Sequence, residues 1–407
     1  MGCSNPDGRM SVAEPPIDAM PDALAGIRVL DFTTVMSGPF ATRMLADAGA
    51  EVLKVESFGG DQVRARPPIR DGFSSYFGAL NAGKRSIALD LKRPEAIAAI
   101  KAAIGGYDIV VENFRPGVMR RLGLDHATLA AINPRLIYCS ISGYGQDGPQ
   151  AQDPAYAPVV HAASGFDTVN QRYQDGAERP ATGGIFIADV LAGTHAFGAI
   201  QMALFQRERT GRGQMIDVAM LDAMLGMLVF EVQEAQFPER HRRPLYRPLA
   251  TSDGHIMVAP TSPRNFEQLA TAAGHPEWCD DPRFRTVAAR NANWDALLAL
   301  AEDWTRTRTA REAEETLRAH GVPCARYRDL PEVFRDPHLA RRGAFEQIHD
   351  GGGAYSVVNP PFRMSGAAVH ARDHVPALGE DADAMLAERW GLSEGEIMAL
   401  RSSGALR

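Results

Sequence analysis

The sequence predicts an α/β protein: an open, Rossmann-like large domain combined with a small α+β domain. Three observations carry that prediction. A strand–helix–strand unit spans residues 27–56, the same alternation returns over residues 94–144, and the texture changes between residues 240 and 335 to proline-broken strands and amphipathic helices.

IRVLDF, residues 27–32, alternates into a short apolar strand, and the polar turn TTVMSG follows it. PFATRMLADAGA reads as a helix with Pro39 in its first turn and Gly49 closing it. EVLKVE, residues 51–56, is the next strand. Strand, helix, strand in this spacing implies a right-handed crossover and a parallel sheet. A helix over 94–104, the strand YDIVVENF at 107–114, a helix near 127–132 and the strand LIYCSISGY at 136–144 extend it. Residues 190–209 and 215–236 read as helices joined by the polar turn RERTGRG. In the small domain DGHIMVAP and HGVPCARY are strand-like, with helices over 263–274 and 291–319. GAFEQIHDGGGAYSVVNPPFRMSG holds turn glycines between β-like runs, and 381–402 is helical, with Leu386, Trp390, Ile397 and Leu400 on its apolar side. The boundaries that follow are a loose extension over 1–22, a large domain over 23–225 completed by 335–407, and a small domain over 226–334.

A chain of 407 residues exceeds the size at which one core usually keeps growing, in keeping with two domains. Lys and Arg number 43 against 50 Asp and Glu, a formal charge of -7. That mildly acidic balance argues against a nucleic-acid partner, which would require a concentrated basic surface. Cys3, Cys139, Cys279 and Cys324 are scattered without a CxxC pair, so neither a disulfide framework nor a structural zinc site is expected. His370 and His374 have helix-like metal spacing but no acidic or cysteine partner patterned around them, and no metal site is expected. No apolar run reads as a membrane span, and MGCSNP lacks the Ser or Thr that an acylation signal would carry at position 6. The expected location is the cytoplasm.

Four polar clusters lie where strands begin or end: Thr33–Pro39, NAGKRSIALDL at 81–91, ENFRPGVMRRLG at 112–123 and SGYGQDGP at 142–149. The turn after the first strand holds only Gly38, so the GxGxxG signal for a dinucleotide is absent. Each cluster alone is a solvated turn. Together they suit an elongated anionic ligand, with Lys and Arg for phosphates and glycine loops for close backbone approach. One carboxylate stands apart. In ATGGIFIADVLAGTHAFGAI, residues 181–200, Asp189 lies among apolar residues, and an unpaired buried carboxylate is costly. Two readings stand: a cap on the helix that follows, or a nucleophile kept ionised by that helix N-terminus. His161 and His195, in apolar surroundings, read as packed side chains.

The ordered set LAGIRVLDFTTVMSGPFATRMLADAGAEVLKVE, LNAGKRSIALDLK, VVENFRPGVMRRLGL, LIYCSISGYGQDGP and ADVLAGTHAFGAI resembles the class III CoA-transferase family, which includes the formyl-CoA and crotonobetainyl-CoA transferases. The match runs over residues 24–240 and continues more loosely to the end. The resemblance implies that each chain is an open ring and that two rings interlock in a homodimer. It implies an acyl-CoA and a free carboxylic acid as substrates, with no tightly bound cofactor. Val35 and Met36 match the segment near the thioester; Lys84 or Arg85, and Arg115, match contacts to the nucleotide portion; Tyr144 and Gly145 lie in the matching glycine loop. Asp189 matches the catalytic aspartate. In the implied mechanism it attacks the donor thioester to give an aspartyl–acyl anhydride and CoA thiolate, which returns to form an aspartyl-CoA thioester; the acceptor carboxylate then reverses both steps. Backbone N–H groups stabilise the oxyanions, and exclusion of water protects the anhydride.

The same fold includes α-methylacyl-CoA racemases, which use a His and an Asp; Tyr156 stands at the matching histidine position here, and tyrosine is a poor neutral-pH base. A silent acyl-CoA-binding protein is a third reading, opposed by the presence of Asp189 in its full motif. VAPTSPRNF, residues 258–266, lacks the glycine run that closes over the aspartate in some transferases, with Pro260 and Pro263 stiffening the turn. Arg172, Arg179 and Arg247 are candidates to pair with a second carboxylate on the acceptor.

Overall fold

In the computed structural model, which describes residues 20–174, 176–181, 183–237 and 244–407, the first crossover is β1 (Arg28–Asp31), α1 (Ser37–Asp47) and β2 (Glu51–Glu56). The hairpin β3 (Ile69–Arg70) and β4 (Phe73–Ser74) leads to α2 (Ser75–Asn81) and β5 (Arg85–Ala88). Next come α3 (Pro94–Ala103), β6 (Ile109–Glu112), α4 (Val118–Leu122), α5 (His126–Ile132) and β7 (Ile137–Ser142). They are followed by α6 (Ala157–Ala163), α7 (Phe166–Arg172), α8 (Ile187–Thr210), β8 (Met215–Ala219), α9 (Met220–Met227) and α10 (Val229–Gln236).

Six of these strands form one sheet in the order β5-β2-β1-β6-β7-β8, every neighbouring pair parallel. From β1 the chain builds outward to β2 and β5; from β6 it builds the other way to β7 and β8. The reversal between β1 and β6 is a topological switch point, where open α/β sheets bind ligands beyond their carboxyl ends. Successive side chains serve opposite faces. Val29, Val52, Ile109, Ile137 and Cys139 pack under α1 and α8. Leu30, Leu53, Ile87 and Val110 pack on the other face with the chain's C-terminal segment.

The chain divides into two compact units, one through Val232 and resuming at Arg341, the other Gln233–Ala340. The second holds β9 (Leu249–Ala250), β10 (His255–Val258), α11 (Pro263–Ala273), α12 (Val287–Ala292), α13 (Trp294–Arg306), α14 (Ala310–Ala319), β11 (Cys324–Arg326), α15 (Leu330–Phe334) and the start of α16 (Pro337–Arg341). Its antiparallel sheet, β11-β10-β9, packs with Phe266, Leu269, Phe284, Leu297 and Leu317. Pro263 is not merely a stiff turn: it opens α11 behind the Ser262 cap. The first unit ends with the hairpin β12 (Phe345–Asp350) and β13 (Gly353–Val358), then α17 (Ala382–Glu388) and α18 (Glu394–Ser402). Met385, Leu386, Trp390, Ile397 and Leu400 join the sheet core, and Trp390 Nε1 donates to the Tyr107 hydroxyl at 2.9 Å.

The structure corrects several expectations. Residues 215–219 are the sixth strand rather than the start of a helix, pairing in register with β7 from Tyr138–Met215 to Ser142–Ala219. The helix read over 291–319 is broken at Thr309, which forms a capping box with Glu312. The loose extension ends before residue 22: Pro21 accepts the Ala368 N–H at 2.9 Å, and Asp22 accepts Arg372 at 2.5 Å. Residues 1–19, Cys3 included, lie outside the described residues. By length and composition α8, with 24 residues, does match a membrane span. Its stripe of Ala188, Ala192, Ala196, Ile200 and Ala203 packs into the sheet core instead.

Candidate active site

The turn leaving β1 is built to be rigid. Thr34 N–H donates to Asn113 Oδ1 at 2.8 Å, and Asn113 Nδ2 returns a bond to Thr34 O at 2.8 Å, tying the ends of β1 and β6 together. Val35 follows at φ 67°, a left-handed backbone that a β-branched residue adopts at a cost of about 1–3 kcal/mol. Its N–H is held by both oxygens of Asp61 at 3.2 Å. Lys54 Nζ donates to Thr33 O at 2.7 Å and pairs with Asp61 at 3.2 Å. Asp31 accepts the Thr33 N–H and hydroxyl with one oxygen, and Thr42 and Lys84 with the other. Burial pushes the Asp31 carboxyl up, but Lys84, Lys54 and the two threonine hydroxyls outweigh it and hold the pKa at about 2. Burial lowers Lys84 to about 8 against the pull of Asp31, so both stay charged at neutral pH. A closed, fully satisfied network of this kind over-determines the strained turn it surrounds.

Asp189 sits in the first turn of α8. The residue before that helix, Phe186, gives no side-chain cap. The task falls to His161 of α6, whose Nε2 accepts the Ala188 N–H at 3.1 Å. His161 is buried, which lowers its pKa and favours the neutral ring this bond requires. Gly193, one turn further, lets α1 lie close against α8: a Cβ there would stand 2.7 Å from Ser37 O and 3.0 Å from Phe40 Cδ1. The approach sets Ser37 near enough to the Asp189 carboxylate for its hydroxyl and backbone N–H to favour the charged form. Burial raises Asp189 to about 6 while those two donors oppose the rise. The positive ends of α1 and α8 both meet this carboxylate and favour its ionised form.

Asp189 opens into a cleft of about 550 Å³. One wall is the β1 turn, Thr34–Ser37; a second is the β6 turn, Asn113–Pro116; Ser142 and Gly143 at the end of β7 form its floor. Gln62 and Arg66 come from the segment after β2, and Asp153, Tyr156 and Phe186 complete it. Of the residues singled out in the sequence, Val35, Met36, Arg115 and Asp189 therefore share one cleft, with Tyr156 on its border. Lys84 does not reach it. Its side chain is wholly buried on Asp31, Thr42 and Asn81, leaving no ammonium for a phosphate. Arg85 is exposed and pairs with Asp381 at 3.1 Å, away from the cleft lining. Tyr144 and Gly145 continue the turn past Gly143 and do not line the cleft, Gln146 N–H fastening that turn to Asp217 at 2.8 Å. Arg247 pairs with Glu302 inside the smaller unit at 3.6 Å. His195 is exposed on α8 rather than packed. Ser37 stood in the Thr33–Pro39 cluster and His161 was read as packed, which its burial bears out, but the bond of His161 to the start of α8 was not foreseen. The Asp31–Lys54–Asp61 network and Arg66 were missed altogether.

The same chain matches CoA-transferase family III over residues 24–382. The chain belongs to that family. The family III chain is 34% identical over 385 residues to the succinate–glutarate CoA-transferase of Agrobacterium fabrum, covering 90% of this chain and 95% of that one. It is 37% identical over 378 residues to the acetyl-CoA:oxalate CoA-transferase of Acetobacter aceti, covering 89% and 95%. A CaiB/BaiF family protein from Brucella suis has the same fold, with a TM-score of 0.78 at 34% identity over 91% of this chain and all of that one (100%). This protein is thus an enzyme that moves coenzyme A from an acyl thioester to a carboxylate.

Proposed function

We propose that Asp189 is the nucleophile of this transfer and that the acceptor is a dicarboxylic acid. The observation that carries the reading is a largely buried carboxylate, Asp189, raised to about 6 by burial against the opposing pull of Ser37, lining a cleft over the switch point. An Asp189 oxygen attacks the thioester carbonyl carbon; the C–S bond breaks, CoA leaves as thiolate and a mixed anhydride remains. The thiolate attacks the aspartyl carbonyl, the anhydride C–O bond breaks, and the donor acid departs from an aspartyl-CoA thioester. The acceptor carboxylate attacks that thioester, expelling thiolate and forming a second anhydride. Thiolate then takes the acceptor's acyl group and frees Asp189. No net proton transfer is required, so the site needs a carboxylate that is charged yet poorly solvated rather than an acid–base pair. The rigid Val35–Met36 turn supports one side of the thioester, and Arg115 and Asn113 support the CoA chain beside it. The dicarboxylate acceptor is supported by the succinate, glutarate and oxalate specificities in the names of the relatives.

The working enzyme in this reading is a cytoplasmic homodimer. Its support is apolar surface on the first unit, where Ile185, Met202, Phe205 and Val229 are more than 60% exposed. The test of function is a matrix of acyl-CoA donors against free acids, read by chromatography of the CoA esters. Transfer to dicarboxylates that disappears in Asp189→Asn supports the reading. Solvent exchange of a substrate α-hydrogen without any acceptor acid would replace it.

A further inference from the structure

Three arginines punctuate the segment between β2 and α2, and two of them are spoken for. Arg64 holds Glu56 with two nitrogens and Pro376 O with the third. Arg70 holds Asp350 and Gly352 O. Arg66 has only the Gln62 side-chain oxygen, at 3.3 Å, and no carboxylate within 4 Å among the described residues. It is also the one of the three that lines the Asp189 cleft.

Its main chain is fixed. Arg66 N–H donates to Val63 O at 3.1 Å, and its carbonyl accepts the Ser74 hydroxyl at 2.6 Å. Ser74 in turn caps α2 through the Phe77 N–H, so Arg66 and Tyr76 of α2 are set by one hydrogen-bonded unit. Tyr76 feels both charges of the cleft: burial and then Asp189 raise its pKa, and Arg66 opposes them. Arg66 and Asp189 thus lie within electrostatic reach of one phenol. The cleft's other cation, Arg115, stands on the β6 turn. A planar guanidinium with free N–H pairs matches a carboxylate in a way a lysine does not.

We propose that Arg66 binds the unreacting carboxylate of the acceptor and so selects dicarboxylic over monocarboxylic acids. The inference rests on the reading of this cleft as the site of CoA transfer at Asp189. It also predicts that the selection lies in the acceptor half of the reaction and leaves donor binding to other residues.

The full-length protein is assayed with acetyl-CoA as donor, so that the donor carries no second carboxylate. Oxalate, succinate and glutarate are compared with the monocarboxylates propionate and butyrate, for wild type, Arg66→Gln, Arg66→Lys and Asp189→Asn. In Arg66→Gln the ratio of kcat/KM for the best dicarboxylate to that for butyrate falls by about tenfold or more, while the KM for acetyl-CoA moves by less than about twofold. Arg66→Lys recovers part of the ratio, and stands in for Arg66→Gln if the latter fails to fold. Equal losses for both acid classes, an unchanged ratio, or a rise confined to the acetyl-CoA KM overturn the proposal; the last would place Arg66 on coenzyme A. Undiminished transfer by Asp189→Asn would sink the nucleophile instead, and is a separate result.

Discussion

Asp189 poses opposite demands on stability and on chemistry. Its pKa of about 6 lies above the ordinary 3.8, so the folded state binds its proton more tightly than the unfolded chain does. Any stability linked to that proton is complete below pH 4 and is lost as the pH rises through 6. Asp189→Asn, which carries no charge to lose, should therefore be more stable than wild type by about 1–3 kcal/mol at pH 7.5, with the gap closing below pH 4. Thermal melts across that range check it. The same variant should lose at least about 10³-fold in kcat. In wild type kcat/KM should fall on the acid side with an inflection near 6, because the protonated carboxyl does not attack a thioester. An inflection near 4 would mean that the carboxylate is solvated in the free enzyme. The acid was legible in the sequence because nothing apolar explained it. Lys84 was not: a sequence shows a charge but not its direction, and this side chain turns inward to Asp31 rather than outward to a ligand. Arg66 was hidden for the converse reason, since RARPPIRDG reads as an ordinary solvated turn.

At the scale of elements, the site depends on how closely α1 approaches α8. Gly193→Ala should raise intrinsic helix propensity yet destabilise the protein, because the added Cβ meets the backbone at Ser37 O, 2.7 Å away, and cannot be relieved by a side-chain rotation. A drop of about 1–3 kcal/mol in denaturant unfolding is expected. With it should come a pH–rate inflection shifted upward, as Ser37 moves off Asp189. A neutral or stabilising effect would show that the two helices are not in contact there. Helices and strands with clear periodicity were readable from the sequence. The sixth strand was not, because MIDVA runs without a turn into the helical MLDAML; only the register with β7 separates them. The Thr309 break was written in the sequence as a T-x-x-E capping box and overlooked inside a longer amphipathic run.

At the scale of the molecule, strand order turns scattered motifs into one site. The β1 turn, the β6 turn and the start of α8 are far apart in sequence, and the reversal between β1 and β6 brings them together. No local pattern encodes that order, which is why the clusters could be recognised singly but not ranked until β5's start and the 144–149 part of the glycine turn proved to lie off the cleft, with only Ser142 and Gly143 lining it. The exposed apolar residues of α8 and its neighbours belong to this scale too. Sedimentation of the purified chain at micromolar concentration should give a dimer, and Phe205→Glu should shift it toward monomer. A monomeric wild type would contradict the homodimer.

The covalent role of Asp189 is tested most directly by trapping. Incubation with an acyl-CoA alone, quenching with hydroxylamine and peptide mass spectrometry should reveal a hydroxamate on the peptide bearing Asp189. The adduct should be absent when acyl-CoA is omitted. An unmodified Asp189 in enzyme that transfers coenzyme A at its full rate would contradict the account.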